Sequence, residues 1–312
     1  MKTISIILPV FNEEENVPLV YGQLKEAIRE AKDKYLFEFI FVDDGSSDNS
    51  FLVLEKIASL DKDVKIISFS RNFGHQMVLT AGYDHSTGDA IICLDSDLQH
   101  PPKIIPLLLE KWEKGKNIVY TIRKENERTP LFKKYTANFF YYLINKISKT
   151  RINKNAADYR LMSREALDAF LKLREKDRFI RGMIGWLGFE TDYVEYEVCD
   201  RAHGKSKYSL LKMLQLATDA ITSFSGMPLR LSFIAGMFVA LSSFFYGIYL
   251  VVASSFFHVQ YVSGWASVLV SILFLGGIQL ISIGILGEYI YRIFNEIKNR
   301  PLYIINKKLN IN

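Results

Sequence analysis

Cysteine is scarce in this chain: 312 residues contain two, Cys93 and Cys199. That excludes a disulfide framework and a cysteine-based zinc site. Cys93 sits inside an apolar run and reads as a small core residue. Charge is missing altogether from one long segment, since no Asp, Glu, Lys or Arg occurs from Leu231 to Gly287. The segment is too long for one span and suits two transmembrane helices, each of about 20 apolar residues. They are expected near Leu231–Phe257 and Trp265–Tyr289, joined by a turn over His258–Gly264. A hydrophobic hairpin inside a soluble protein is the alternative, but it would exceed ordinary soluble helix lengths. A glycine-rich turn is absent after the first predicted strand, which disfavours a nicotinamide dehydrogenase. Internal repeats and low-complexity linkers are also lacking. The net charge of +5 is mild. It fits an anionic leaflet and phosphorylated ligands, with no pattern pointing to nucleic acid.

The charged flanks give the uncharged segment a direction. Arg230 precedes it; Arg292, Lys298, Arg300, Lys307 and Lys308 follow it, and the turn has no Lys or Arg. The positive-inside rule then predicts a multi-pass protein of the cytoplasmic (inner) membrane with both termini in the cytoplasm. The chain opens directly on a strand, so no signal peptide is expected. Glu288 and Arg292 have the spacing of a helical ion pair. Trp265, Tyr289 and Tyr291 suit interfacial anchors, and Gly276-Gly277 with Gly284 would allow close packing in a homo-oligomer.

The first half alternates strand and helix patterns. Strands are predicted at Ile4–Val10, Phe37–Val42, Val64–Phe69 and Ala90–Leu94. Helices are predicted from Glu14 to about Lys34, from Ser47, from Gln76 to about His85, and after Pro101-Pro102. This alternation argues for a Rossmann-like α/β fold with a mostly parallel sheet. Beyond Arg123 the chain is basic and less regular, with an aromatic-rich helix expected at Thr129–Ser148. Ser209–Ser225 reads as an amphipathic juxtamembrane helix, lying in the interface or packed on the globular domain. The expected organisation is a cytoplasmic catalytic domain at 1–208, a juxtamembrane segment at 209–229, a transmembrane hairpin at 230–292 and a basic tail at 293–312.

Ligands of doubly wound sheets bind beyond the carboxyl ends of the strands. Asn12, Asp43, Asp44, Arg71, Asp95 and Asp97 all fall there. Asp95-Ser96-Asp97 leaves the fourth strand as two carboxylates one residue apart, a pair suited to Mg²⁺ or Mn²⁺ with phosphates completing the shell. A solvated loop is the bland reading. Asp43, in the run Asp43-Asp44-Gly45-Ser46, could accept hydrogen bonds from a base or ribose, or simply cap its loop. Arg201 to Lys207 concentrates cations around Gly204 and Ser206 and suits an anionic group, or faces anionic lipid as a solvated loop.

In combination these motifs resemble the family 2 glycosyltransferases of GT-A fold. More narrowly, the chain resembles polyprenyl-phosphate glycosyltransferases of the bactoprenol glucosyltransferase and dolichyl-phosphate mannose synthase type. The narrower likeness rests on Arg71–Gln76, on Asp95–Pro102, on Asp158–Ser163 and on Arg201–Tyr208, in order and followed by the hairpin. The resemblance implies that Pro9, Asn12, Glu13, Asp43, Arg71, Asp95 and Ser96 surround the donor nucleotide. It implies that Asp95, Asp97 and Gln99 surround the metal, with Asp97 and Asp158 catalytic. Arg160, Arg201, Lys205 and Ser206 are then assigned to the acceptor phosphate. Asp158 is a general-base candidate in similar enzymes, yet a phosphate monoester with a second pKa of about 6 needs little help losing a proton. Orienting Arg160, or positioning the attacking oxygen, is the other role for it.

The activity implied is inverting transfer of one sugar from a nucleotide-sugar donor, UDP-glucose or UDP-N-acetylglucosamine, to polyprenyl (undecaprenyl) phosphate on the cytoplasmic face. A flippase and a second glycosyltransferase would act downstream in cell-envelope glycosylation. Two rivals stand beside it. A processive polysaccharide synthase would carry a Gln-x-x-Arg-Trp motif and more membrane helices, and this chain has neither. A non-catalytic nucleotide-sugar-binding scaffold would bind the donor without turnover.

Overall fold

Runs of β-branched and aromatic residues buried on both faces form the first four strands, as a covered parallel sheet requires. They are β1 (Lys2–Val10), β2 (Tyr35–Asp43), β3 (Val64–Phe69) and β4 (Ala90–Cys93). The structure, a computed structural model, describes residues 1–123, 156–197, 227–257 and 264–311. The helices α1 (Asn16–Ala27), α2 (Ser50–Leu60) and α3 (His75–Asp84) follow β1, β2 and β3. A 3₁₀ turn at Pro102–Ile104 leads into α4 (Ile105–Glu113) after β4. Further on come β5 (Ile118–Arg123), β6 (Ala156–Ser163), α5 (Arg164–Leu171), α6 (Ile180–Trp186) and β7 (Thr191–Tyr196). Ser163 caps α5 by accepting the Ala166 N–H.

The strands join one eight-stranded sheet in the order β7-β5-β6-β4-β1-β2-β3-β8. The pairs β1–β2, β1–β4, β2–β3 and β5–β7 are parallel, whereas β6 runs antiparallel to both β4 and β5. Register brings Val10 opposite Asp43 and Ile7 opposite Cys93, so the loops after β1, β2 and β4 emerge side by side. Toward the other end of these strands, Glu38 collects Lys65, the Ser5 hydroxyl, and the backbone and hydroxyl of Thr87. Burial alone would raise the Glu38 pKa, but these partners outweigh it and hold the carboxyl below its usual range.

The eighth strand, β8 (Ile305–Leu309), is not anticipated by the sequence reading, which takes 293–312 as a basic tail. It pairs antiparallel with β3, Leu309 facing Ile66 and Ile305 facing Phe69. Asn310, in the left-handed region that asparagine tolerates, donates to the carbonyls of Ala58 and Val64 at 3.0 and 2.8 Å. Residues Pro301–Asn312 therefore belong to the same unit as the catalytic sheet.

The second unit, Gln215–Arg300, contains two long helices, α7 (Met227–Phe257) and α8 (Trp265–Ile297). Both are long and apolar enough to cross a membrane. Many of their large side chains, among them Phe238, Phe245, Ile272 and Ile283, are exposed. The expected ion pair forms, with Arg292 Nε 3.1 Å from Glu288 Oε1. The expected helices at 129–148 and 209–225 and part of the turn at 258–264 lie outside the described residues.

Candidate active site

Four loops at the carboxyl ends of the strands build the site, and their polar side chains tie them to one another. Asn12, again left-handed, accepts the Ser47 N–H through Oδ1 at 2.8 Å, while its own N–H donates to Ser46 Oγ. The Glu13 N–H donates to Ser50 Oγ, and the Glu13 carboxylate accepts from Asn16. Ser96 Oγ donates to the Pro9 carbonyl at 2.7 Å, fixing the β4 loop to the end of β1. Asp43 is buried and accepts from the Ser46 N–H and the Ser68 hydroxyl. Asp44, which the sequence reading leaves without a specific role, accepts the N–H groups of Phe73 and Gly74 at 2.7 and 3.0 Å. Burial raises the Asp44 pKa, only partly offset by those N–H groups.

Gly45 shows why the loop after β2 needs glycine. Its φ is +67°, and a Cβ there would lie 2.7 Å from the Arg71 carbonyl carbon. The loop carrying Arg71 thus touches the loop carrying Asp43. The Arg71 guanidinium lies 4.1 Å from the Phe73 ring centre.

After β4 the burial alternates. Leu94, Ser96, Leu98 and His100 are buried, whereas Asp95, Asp97 and Gln99 are partly exposed. Leu98 holds a φ of +64°, a conformation costing a leucine about 1–2 kcal/mol, within this turn. Among the described residues no group of three or more His, Cys, Asp or Glu converges on a cation. The alternation still fits the way Mg²⁺ is held at nucleotides, where one or two carboxylates share the ion with phosphate oxygens. Two carboxylates and one neutral amide oxygen stand on the exposed positions of one loop.

Behind Asp95 stands a charge network that sequence reasoning misses in part. His75 opens α3 with Nε2 3.8 Å from both Asp95 Oδ1 and Asp158 Oδ2. Burial would lower its pKa, but Asp158 and Asp95 raise it. His100, 1% exposed, lies with Nδ1 3.5 Å from Asp95 Oδ2. Arg123 Nη2 lies 3.2 Å from His100 Nε2, and the Asp95 N–H donates to His100 Nδ1 at 3.4 Å. Burial keeps this imidazole neutral, its pKa lowered.

Asp158 on β6 is the hub of the network. Arg181 on α6 grips it with both prongs, Nε to Oδ1 at 2.9 Å and Nη2 to Oδ2 at 2.8 Å, and Arg160 donates to Oδ1 as well. Burial would push the Asp158 pKa up, but Arg181, His75 and Arg160 hold the carboxyl well below its usual range. A carboxylate so held is a weak base. Arg160, expected at the acceptor phosphate, stands inside this network. Its side chain is 1% exposed, its Nε donates to the Asp158 carbonyl, and it serves as a buried counter-ion. Arg181, also beside Asp158, is partly exposed, at 33% of its side chain. Nothing in its local sequence marks it. Cys93 donates its thiol to the Asp158 carbonyl, and burial pushes its pKa to about 12. Arg201, Lys205 and Ser206 lie outside the described residues.

The strand-end loops and the carboxylates Asp95 and Asp97 just after β4 make a candidate site, and comparison with known proteins gives the class of the chain. Residues 5–171 match the model for glycosyl transferase family 2, and residues 227–293 match the GtrB C-terminal hairpin. The chain belongs to glycosyl transferase family 2, and it is a glycosyltransferase of GT-A fold. It is 46% identical over 304 residues to the SfII prophage-derived bactoprenol glucosyl transferase of Shigella flexneri, covering 97% of each chain. It is 42% identical over 307 residues to the uncharacterized glycosyltransferase YkcC of Bacillus subtilis, covering 98% of this chain and 94% of that one. Among solved structures, glucosyl-3-phosphoglycerate synthase of Mycobacterium tuberculosis is similar at 20% identity and a TM-score of 0.48, over 72% of this chain and 80% of that one.

Proposed function

We propose that this protein transfers a single glucose from UDP-glucose to a polyprenyl phosphate at the cytoplasmic face of a membrane, with inversion at the anomeric carbon. The observation that carries the reading is the full-length likeness to bactoprenol glucosyl transferases, sheet domain and hairpin together. The sugar follows from those relatives and replaces the open choice between glucose and N-acetylglucosamine. The donor nucleotide is assigned to the loops of Pro9, Asn12, Glu13, Asp43, Arg71 and Ser96. Several of their polar atoms are spent on holding the loops together, which leaves Arg71 as the exposed cation of the set.

Asp95, Asp97 and Gln99 would hold Mg²⁺ or Mn²⁺, which would neutralise charge growing on the leaving nucleoside diphosphate. The chain's own residues supply the rest. His75 and His100 flank Asp95, at 3.8 and 3.5 Å from its carboxylate oxygens. Asp158 positions Arg181 and shields the charge of Arg160. No general base is needed, because a phosphate monoester is largely ionised at neutral pH. Arg201, Lys205 and Ser206 are proposed at the acceptor phosphate, together with the partly exposed guanidinium of Arg181.

Both termini are placed in the cytoplasm. The reading is supported by β8, because the strands before α7 and the strand after α8 belong to one sheet unit. Arg230 before α7, with Lys298 and Arg300 after α8, favours the cytoplasm as that side.

The test is transfer of labelled glucose into organic-extractable lipid by purified protein with Mg²⁺ or Mn²⁺ and undecaprenyl phosphate. Label in the lipid from UDP-glucose, lost with EDTA, is expected. Asp95→Ala and Asp97→Ala should each lower the rate by at least about 10². Label from another nucleotide sugar only, or full activity in either variant, would overturn the sugar or the metal assignment respectively.

A further inference from the structure

The segment after α8 reaches the donor loop through a continuous line of aromatic contacts. Tyr303 stacks on Phe69, with ring centres 5.1 Å apart and planes 16° from parallel. Phe69, the last residue of β3, packs edge-on against Phe73 at 5.6 Å. Phe73 in turn carries the Arg71 guanidinium on its face and gives its N–H to Asp44. The Ser70 N–H donates to the Ile304 carbonyl at 3.0 Å, so the backbone entering the Arg71 loop is held by the same segment. The Tyr303 hydroxyl donates to Asp84 Oδ2 at 2.8 Å, and Arg174 pairs with the same carboxylate. Tyr303 is thus fixed on both sides, by ring and by hydroxyl.

We infer that Tyr303 is a positioning residue for the donor site: its ring, through Phe69 and Phe73, sets where the Arg71 guanidinium stands. The inference rests on the reading that Arg71 contacts the donor nucleotide. Only the ring is required by this line of contacts. The hydroxyl bond to Asp84 anchors the segment and adds stability. Removing the stacked ring frees the Phe69–Phe73 pair to rotate and loosens Arg71, while the acceptor side of the site, at Asp158 and Arg181, has no part in the line.

The experiment is a titration of the full-length protein in detergent with UDP, paired with thermal melting and with KM for each substrate. The variants are Arg71→Ala, Tyr303→Phe and Tyr303→Leu. Tyr303→Leu keeps apolar volume, so the fold survives where an alanine would leave a void. The expected result is that Tyr303→Leu weakens UDP binding about tenfold, the scale of coupling through packed side chains. Donor KM should rise in step and acceptor KM should stay unchanged. Tyr303→Phe should restore the UDP affinity while melting at a lower temperature than wild type. Lower melting of Tyr303→Leu with unchanged UDP affinity would overturn the inference and leave the donor assignment intact. Unchanged UDP affinity in Arg71→Ala would overturn the donor assignment and the inference with it.

Discussion

Asp158 is buried, ionised and held by two arginines, and this sets what its removal does. Asp158→Asn leaves Arg160 as a buried cation without its counter-charge, at a cost of about 3–5 kcal/mol. Activity and melting temperature are expected to fall together; an unchanged melting temperature with a large loss of rate would restore the general-base role. The pH dependence follows in sign from the depressed carboxyls of Asp158 and Glu38. A group whose folded pKa lies below its unfolded value stabilises fully above the unfolded pKa, about 3.9–4.3 here. That stability is lost as pH falls through the folded value. The contribution of these two residues should therefore stay full and constant between pH 5 and 8, and Glu38→Gln should flatten the decline in stability below the ordinary carboxylate range.

At the scale of elements, glycines at two close approaches separate binding from stability. Gly45→Ala forces a Cβ against the Arg71 backbone from a positive φ, which spreads the two donor loops. UDP affinity measured by titration should drop by about tenfold as the Arg71 loop is displaced, and the strain should lower the melting temperature as well. Gly88→Ala meets the Ser5 nitrogen at 2.7 Å and the Thr3 carbonyl at 2.8 Å, beside the Glu38 cluster and away from the donor loops. It should lower the melting temperature and leave UDP affinity unchanged.

The elements also show what sequence pattern can carry. β3 spans Val64–Phe69 as expected, and α8 begins at Trp265 as expected but runs on to Ile297, past the expected Tyr289. Long apolar runs announce themselves because burial on both faces leaves no room for polar residues. β8 does not: Ile305-Asn306-Lys307-Lys308-Leu309 is half polar and becomes a strand only because β3 offers an open edge, far away in sequence. The same holds for the site. Asp43, Asp95, Asp97 and Asp158 are proposed from loop position and from the family resemblance. The clasp of Arg181 on Asp158, the burial of Arg160 and the place of His75 between two carboxylates depend on which elements the fold brings together.

At the scale of the whole molecule, the return of the chain to its sheet makes a topological prediction. A cysteine at Ser263, in a Cys199→Ser background, should react with a membrane-impermeant maleimide added to intact spheroplasts. A cysteine at Lys308 should react only after lysis, and native Cys93, buried and with its thiol pKa near 12, should stay silent in both. Labelling of the Lys308 position in intact cells would place the sheet on the other side.

β8 has a second consequence, in the order of biosynthesis. Until Ile305–Leu309 has been made, β3 presents a bare edge of unpaired backbone groups, the kind of edge that invites pairing with another chain. Because α7 and α8 precede β8 in the chain, the catalytic sheet is completed only after both helices have left the ribosome. A nascent chain that stalls within the hairpin therefore keeps an open sheet edge, whatever the state of its active-site loops.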